Sequence, residues 1–137
     1  MSDFNAGVID EFRANGGRTR GWGRHLVVLH TIGAKSGAER LNPVMGLRDG
    51  DTWIVAASKG GAPEHPSWYF NLLAHPDIDI EVAGDDGVEV VPVRASVLQG
   101  AERDAAWQRL AERSPAFEKY AARTGGRTIP IVRLERR

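Results

Sequence analysis

Asp77-Ile-Asp-Ile-Glu-Val-Ala-Gly-Asp-Asp-Gly-Val-Glu-Val-Val-Pro-Val-Arg-Ala-Ser-Val-Leu98 is the stretch that decides the fold. Ile78, Ile80 and Val82 alternate with Asp79 and Glu81, a period of two that buries one face of a strand and wets the other. Asp85-Asp86-Gly87 turns the chain. Residues 88–98 follow as a long strand in which Pro92, having no N–H to give, implies an edge or a bulge. A second hairpin lies upstream, where residues 42–47 and 52–58 flank Asp49-Gly50 and the glycine accepts a positive φ.

The rest of the chain fits around these hairpins. Residues 25–31 are rich in branched side chains and read as a buried strand, and residues 128–135 read as a closing strand. Residues 4–15 form a predicted helix with Phe4, Val8, Ile9 and Phe12 on one face, stopped by Gly16-Gly17. Pro66 suits a first helical turn, and the helix it begins ends before His75-Pro76. Residues 101–113 carry the stripe Ala106, Trp107 and Leu110. After Ser114-Pro115 a short helical turn holds Phe117, Tyr120 and Ala121. Six strands without regular βαβ alternation argue against a doubly wound sheet. A mainly β chain of hairpins, one long bending strand and short helices suits a small antiparallel barrel, which leaves few exposed edges. The reading is one domain over residues 1–137, with 1–24 as an N-terminal helix and basic segment.

Composition narrows the chemistry. The 42% hydrophobic and 26% charged fractions are those of an ordinary water-soluble globular chain. The absence of cysteine excludes disulfides, thiolate metal sites, iron–sulfur clusters and a cysteine nucleophile. No apolar run approaches the ~20 residues of a membrane-spanning helix. The N-terminus lacks the basic and then apolar pattern of a signal peptide, so the expected compartment is the cytoplasm. Net charge is zero but unevenly spread. Arg13, Arg18, Arg20, Arg24 and Lys35 follow one another without an intervening acid, whereas residues 77–104 are acidic. An anionic partner is therefore expected at the N-terminal third. Nucleic acid is not, because the basic residues lack interleaved stacking aromatics.

Two glycine turns are the candidate binding elements. Ala57-Ser58-Lys59-Gly60-Gly61 leaves a strand, and its glycines let backbone approach a ligand, while Lys59 offers a point charge to a phosphate or carboxylate. Trp68 and Tyr69 follow on the next helix, with Trp68 as a flat face for a ring. The loop from Thr31 to Arg40 carries Lys35, Ser36, Gly37 and Arg40, a set of amides, cations and a hydroxyl suited to an anion. It is not a P-loop, since the glycine spacing differs and no helix follows. The two turns are expected to flank one groove. His25, His30, His65 and His75 show no metal-ligand spacing, so no metal site is expected. No residue declares itself a nucleophile or an acid–base pair, which suits an enzyme whose cofactor does the hard chemistry.

Gly33-Ala-Lys-Ser-Gly37, Arg40-Leu-Asn-Pro43, Leu47-Arg-Asp-Gly-Asp51, Ala57-Ser-Lys-Gly-Gly-Ala-Pro63, His65-Pro-Ser-Trp-Tyr-Phe-Asn-Leu72 and Thr128-Ile-Pro130, taken in order, resemble the deazaflavin-dependent nitroreductases. Members of this family are also described as F420H2-dependent quinone reductases. The resemblance covers roughly residues 4–135. It implies an FMN-binding split-barrel-like fold of about six antiparallel strands and binding of coenzyme F420, an 8-hydroxy-5-deazaflavin with an anionic tail. By matching positions, Lys35, Ser36, Gly37 and Arg40 hold the tail, with Lys59, Gly60 and Gly61 on its far side. Asn42, Pro43 and Val44 lie along the ring, Ala57 and Ser58 near its polar edge, and Trp68 supports the pocket. The substrate side carries over to Met45, Phe117 and Tyr120, with Tyr120 and Ser58 polarising the acceptor.

Two departures stand out. Pro115-Ala-Phe117-Glu-Lys-Tyr120 has phenylalanine where many relatives have tyrosine, and Met45-Gly46 replaces another tyrosine. The implied activity is hydride transfer from reduced F420 to a quinone, menaquinone-like, with nitroaromatic reduction the more sensitive to the missing hydroxyls. The alternatives are an FMN oxidoreductase on the same barrel and a non-catalytic F420 carrier. The N-terminal helix and its arginines suggest peripheral contact with an anionic membrane.

Overall fold

The strand pairing follows the two hairpins outward until the sheet meets itself. The computed structural model describes residues 3–137, and side chains from Asn5 onward, so the place of Phe4 on its helix face lies outside the described residues. In chain order the elements are α1 (Asp3–Ala14), β1 (Leu26–Ile32), β2 (Glu39–Asp49), β3 (Thr52–Ala56), α2 (Ser67–Ala74), β4 (Asp77–Gly84), β5 (Gly87–Val97), α3 (Gly100–Arg113), α4 (Ala116–Arg123) and β6 (Ile131–Arg136), with a 3-10 turn at Lys59–Gly61. All pairings are antiparallel, and the order β1-β2-β3-β6-β5-β4 closes where β4 pairs β1 through Leu29 and Ile80. This is the small antiparallel barrel that the hairpins imply, and it agrees with the split barrel that the resemblance implies.

Pro92 has a simple explanation. Its carbonyl accepts the amide of Arg137, so its nitrogen also faces the β6 side. There the register with β6 only begins at Val93 opposite Arg136, and the missing N–H leaves no acceptor unserved. The expected polar loop up to Arg40 is shorter than its sequence implies. Glu39, Arg40 and Leu41 already pair with Ile32, Thr31 and His30, so Arg40 stands on a strand. Only residues 33–38 form the turn, closed by the Gly33 amide on the Ala38 carbonyl and the Gly37 amide on the Gly33 carbonyl, both at 2.9 Å.

Three apolar layers hold the barrel and its helices. Inside, Leu29, Val55, Ile80, Val91, Val93 and Leu134 meet, and Trp68 and Leu72 of α2 join them. Outside β3 and β6, Ile54 and Ile131 pack on Leu110 of α3 and Phe117 of α4. Outside β1, Leu26 and Val28 take Ile9 and Phe12 of α1. Phe12 is fully buried, so Phe12→Ala is a loss of about 3–5 kcal/mol. The apolar face of α1, as far as it is described, is thus committed to the barrel and is not left for a membrane. No described helix is long and apolar enough to cross a membrane.

One strand residue breaks its pattern. Glu81 shares its face with exposed Asp79, yet it is 4% exposed, because α1 crosses the outside of the barrel there. The Arg13 guanidinium donates to both carboxylate oxygens, at 2.9 and 2.7 Å, and the His30 ring lies 2.7 Å away. Arg13 first, and His30 with it, holds the Glu81 carboxyl below its usual range against the opposing effect of burial.

Candidate functional site

A cavity of about 300 Å3 opens between β2, the Lys59–Gly61 turn, α1 and α4, within the lower range of small-ligand pockets. Pro43, Val44 and Met45 of β2 form one wall and Ser58, Lys59 and Gly60 another, with Trp68 also on the lining. Across from them stand Phe117 and Tyr120, their rings perpendicular at 5.9 Å, with Trp107 edge-on behind Phe117 at 6.1 Å. Trp68 serves two purposes at once: it is 8% exposed, packed in the barrel core, and still lines the cavity.

A second, shallower recess of about 480 Å3 holds Lys35, Ser36 and Arg40 beside Ser67, Phe70 and Asn71. Consecutive residues of α2 line the two depressions, Ser67 the recess and Trp68 the cavity. Asn71, 8% exposed, accepts the Ala34 amide at 3.0 Å and so ties the 33–38 turn to α2. Lys35 and Arg40 carry no acidic partner among the described residues. Lys59 does: its ammonium is 2.9 Å from Glu64 and holds that carboxyl below its usual range. Lys59 and Gly60 thus line the cavity, and Lys35 and Arg40 line the recess, where the sequence reading expects one groove.

Four expected residues line neither depression. Ala57 is fully buried in the barrel core. The Asn42 amide oxygen accepts the Thr31 hydroxyl at 2.8 Å. Gly37 supplies a positive φ of 69° to its exposed turn. Gly61 is buried against α4, where a Cβ would stand 2.7 Å from the Tyr120 carbonyl oxygen, so the close approach it permits is to the protein itself. Ser36 Oγ accepts the Ala38 amide at 3.2 Å within its own turn.

Asn5 and Val8 of α1, Trp22, Leu26, Ser114 and Ala116 also line the cavity and were not expected there. The composition of the N-terminal segment marked it only as basic and helical. The turn carries strain as well. Lys59 has φ +48°, the positive value of a non-glycine among the described residues, at about 1–2 kcal/mol for an L-residue.

The closed antiparallel barrel of six strands is the fold that the sequence resemblance implies. The family model for F420H(2)-dependent quinone reductase matches residues 7–136. The chain belongs to that family. An F420H(2)-dependent quinone reductase of Mycobacterium tuberculosis H37Rv is 40% identical over 114 residues, 81% of this chain and 73% of that protein. A putative F420H(2)-dependent quinone reductase of the same strain is 35% identical over 111 residues, 81% of this chain and 89% of that protein. Among solved structures, an F420-H2 dependent reductase, FDR-A, superposes with a TM-score of 0.70 at 39% identity, covering 82% of this chain and 95% of that one. The family is one of F420H2-dependent reductases, so the cofactor it supports is coenzyme F420, and the FMN alternative is not needed.

Proposed function

We propose that this F420H2-dependent reductase delivers its hydride to a quinone of the menaquinone type. When bound, reduced F420 supplies that hydride from C5 of its deazaflavin ring. The observation that carries the reading is the juxtaposition of two uncompensated cations, Lys35 and Arg40, with an aromatic-walled cavity. An anionic tail suits the recess, since unpaired basic groups gain an opposite charge without first giving up a partner. In this reading Lys35, Ser36 and Arg40, with Gly37 shaping their turn, hold the tail. Pro43 and Val44 lie along the ring, Asn42 props their strand, and Trp68 backs the pocket. Lys59 and Gly60 bound the near edge, while Ala57 and Gly61 support them from behind.

On the acceptor side Met45 and Phe117 are apolar contacts for a quinone ring. Tyr120 and Ser58 supply hydroxyls to polarise its carbonyl. Holding two rings face to face contributes through orientation, on the order of 7–11 kcal/mol in well-aligned systems. Quinone is favoured over a nitroaromatic because Phe117 and Met45 remove hydroxyl donors from this wall. Peripheral contact with an anionic bilayer, where such quinones reside, is supported by exposed Arg18, Arg20 and Arg24 around the cavity-lining Trp22 and rests on charge.

The test is oxidation of reduced F420 by purified protein with menadione, a nitroaromatic or no acceptor. Turnover with menadione above that with the nitroaromatic is the expected result. Tight binding of reduced F420 without turnover would make the protein a carrier instead. Cosedimentation with phosphatidylglycerol vesicles, lost in high salt, tests the membrane contact.

A further inference from the structure

Arg127 lies in the link between α4 and β6, after Gly125-Gly126, and its guanidinium is fully engaged. Nε donates to the Ala62 carbonyl at 3.1 Å, and Nη2 donates to the carbonyls of Ala62 at 2.9 Å and Ser58 at 2.8 Å. Nη1 donates to the Ala57 carbonyl at 3.1 Å and to Nδ1 of His65 at 2.8 Å. Those contacts take all five donors of the group. Every acceptor is neutral, and no carboxylate pairs with Arg127 among the described residues. The cation therefore acts as a clasp on one loop, and Glu64 feels its charge only at a distance.

The clasped loop needs holding. Between the carbonyls of Ser58 and Ala62 run Lys59, Gly60 and Gly61, with φ of 48°, 64° and 85°. A left-handed lysine persists only where its surroundings over-determine the backbone. The other end of the clasp is anchored as well, because Thr124 Oγ1, at the end of α4, lies 3.0 Å from the Arg127 carbonyl and 3.1 Å from that of Ala121. Arg127 thus joins the wall that carries Ser58, Lys59 and Gly60 to the helix that carries Phe117 and Tyr120.

We infer that Arg127 is a positioning residue, which fixes the Ser58–Lys59–Gly60 wall relative to Tyr120 and presents Lys59 to the anionic, ring-bearing ligand of the cavity. The clasp rests on geometry alone, and only the ligand it serves rests on the function proposed above. A lysine at this position retains the charge and the stem. Its tetrahedral ammonium has three donors and no planar fork, and it cannot serve four acceptors spread over residues 57–65.

Hydrogen–deuterium exchange on ligand-free wild type, Arg127→Lys and Arg127→Ala tests the clasp, with the exposed Arg109→Ala as the surface-arginine control. The amides of Gly61 and Ala62, bonded to the carbonyls of Ser58 and Lys59, are expected to exchange about tenfold faster in both Arg127 variants, with β1 and β4 amides unchanged. Reduced F420 is expected to bind those variants about tenfold more weakly, with no rescue by lysine. Wild-type exchange and affinity in Arg127→Lys would overturn the inference, as would an unaltered loop in a folded Arg127→Ala. If Arg127→Ala does not fold, Arg127→Lys carries the comparison. If wild type itself ignores reduced F420, the cofactor reading falls and the exchange data still decide the clasp.

Discussion

Gly61 presses on Tyr120 so closely that a Cβ on the glycine would stand 2.7 Å from the tyrosine's carbonyl oxygen and 2.9 Å from its Cα. Backbone meets backbone there, so the turn at Lys59–Gly61 and α4, on two sides of the cavity, are packed as one body. Gly61→Ala should force them apart, and its φ of +85° adds strain of its own. The expected cost is about 1–3 kcal/mol from overpacking, read as a lower urea midpoint in equilibrium unfolding. Cofactor affinity should fall with it, since Ser58 and Lys59 move with the turn.

The lysines of the two depressions should behave differently. Lys35 is free of acidic partners, whereas Lys59 must share itself with Glu64 at 2.9 Å. Lys35→Ala is therefore expected to raise the Kd for F420 more than Lys59→Ala does, with kcat at saturating cofactor little changed in either. Glu64→Gln should tighten binding modestly, as it frees Lys59 from an exposed and screened pair. Lys59→Gly should be more stable than Lys59→Ala by about 1 kcal/mol, because glycine accepts the left-handed φ and alanine does not. Fluorescence titration and thermal melts of the four variants check this set.

Phe117 tests the proposed choice of acceptor. It is 6% exposed yet lines the cavity, and its hydroxyl-bearing replacement occurs in the motif this chain resembles. Phe117→Tyr is expected to raise kcat/KM for a nitroaromatic several-fold while menadione turnover changes little. A steady-state comparison of both acceptors reads the ratio, and an unchanged ratio would separate nitro reduction from this position.

Much of this was legible in the chain. The barrel could be read because period-two runs and Asp-Gly or Asp-Asp-Gly turns are local signals, and strand closure follows from them. Pro43, Val44, Ser58, Gly60 and Trp68, which the resemblance singles out, do line the cavity. What could not be read depends on distant partners. Glu81 alternates like a solvent-facing residue, and nothing near it reveals that Arg13 will cross the barrel to cover it. Arg127 in Gly-Gly-Arg-Thr looks like a solvated turn, since the backbone carbonyls it binds leave no trace in side-chain identity. Ala57 and Gly61 followed the ligand-binding motif, yet the structure places both inside the protein, one in the barrel core and one under α4.

Glu81 gives the barrel an acid-sensitive latch to α1. Its folded pKa is depressed, chiefly by the Arg13 hydrogen bonds, so its contribution is complete above the unfolded value of about 4.3. It is lost as pH falls through the lower folded value. Glu81→Gln should lower stability near neutral pH by about 1.5–3 kcal/mol, the range for hydrogen bonds to charged groups. It should also flatten the stability decline as pH falls below about 4.3. Urea unfolding midpoints at stepped pH provide the comparison, and parallel slopes in the two proteins would show that the latch carries no linked proton.

His65 adds a second proton sensor, one tied through Arg127 to the turn at Lys59–Gly61. Its Nδ1 accepts from Arg127, so the ring is neutral with its proton on Nε2, and it packs at 4.8 Å from Tyr69 and 5.8 Å from Phe70. Burial first, and the Arg127 cation second, push its pKa below the ordinary histidine value. The depressed pKa sets the sign: the stabilising contact is complete above about pH 6.5 and is lost as the solution is acidified through the lower folded value. Protonation would turn the acceptor into a second donor facing a guanidinium, and the Arg127 clasp over residues 57–65 would lose one of its four acceptors. Affinity for reduced F420 should therefore weaken as pH falls below 6.5, while His65→Gln, which keeps an acceptor oxygen without a titrating ring, should weaken less over the same range. Titrations of both proteins at stepped pH and constant ionic strength decide it, and identical profiles would assign the acid sensitivity to the cofactor's own ionisation.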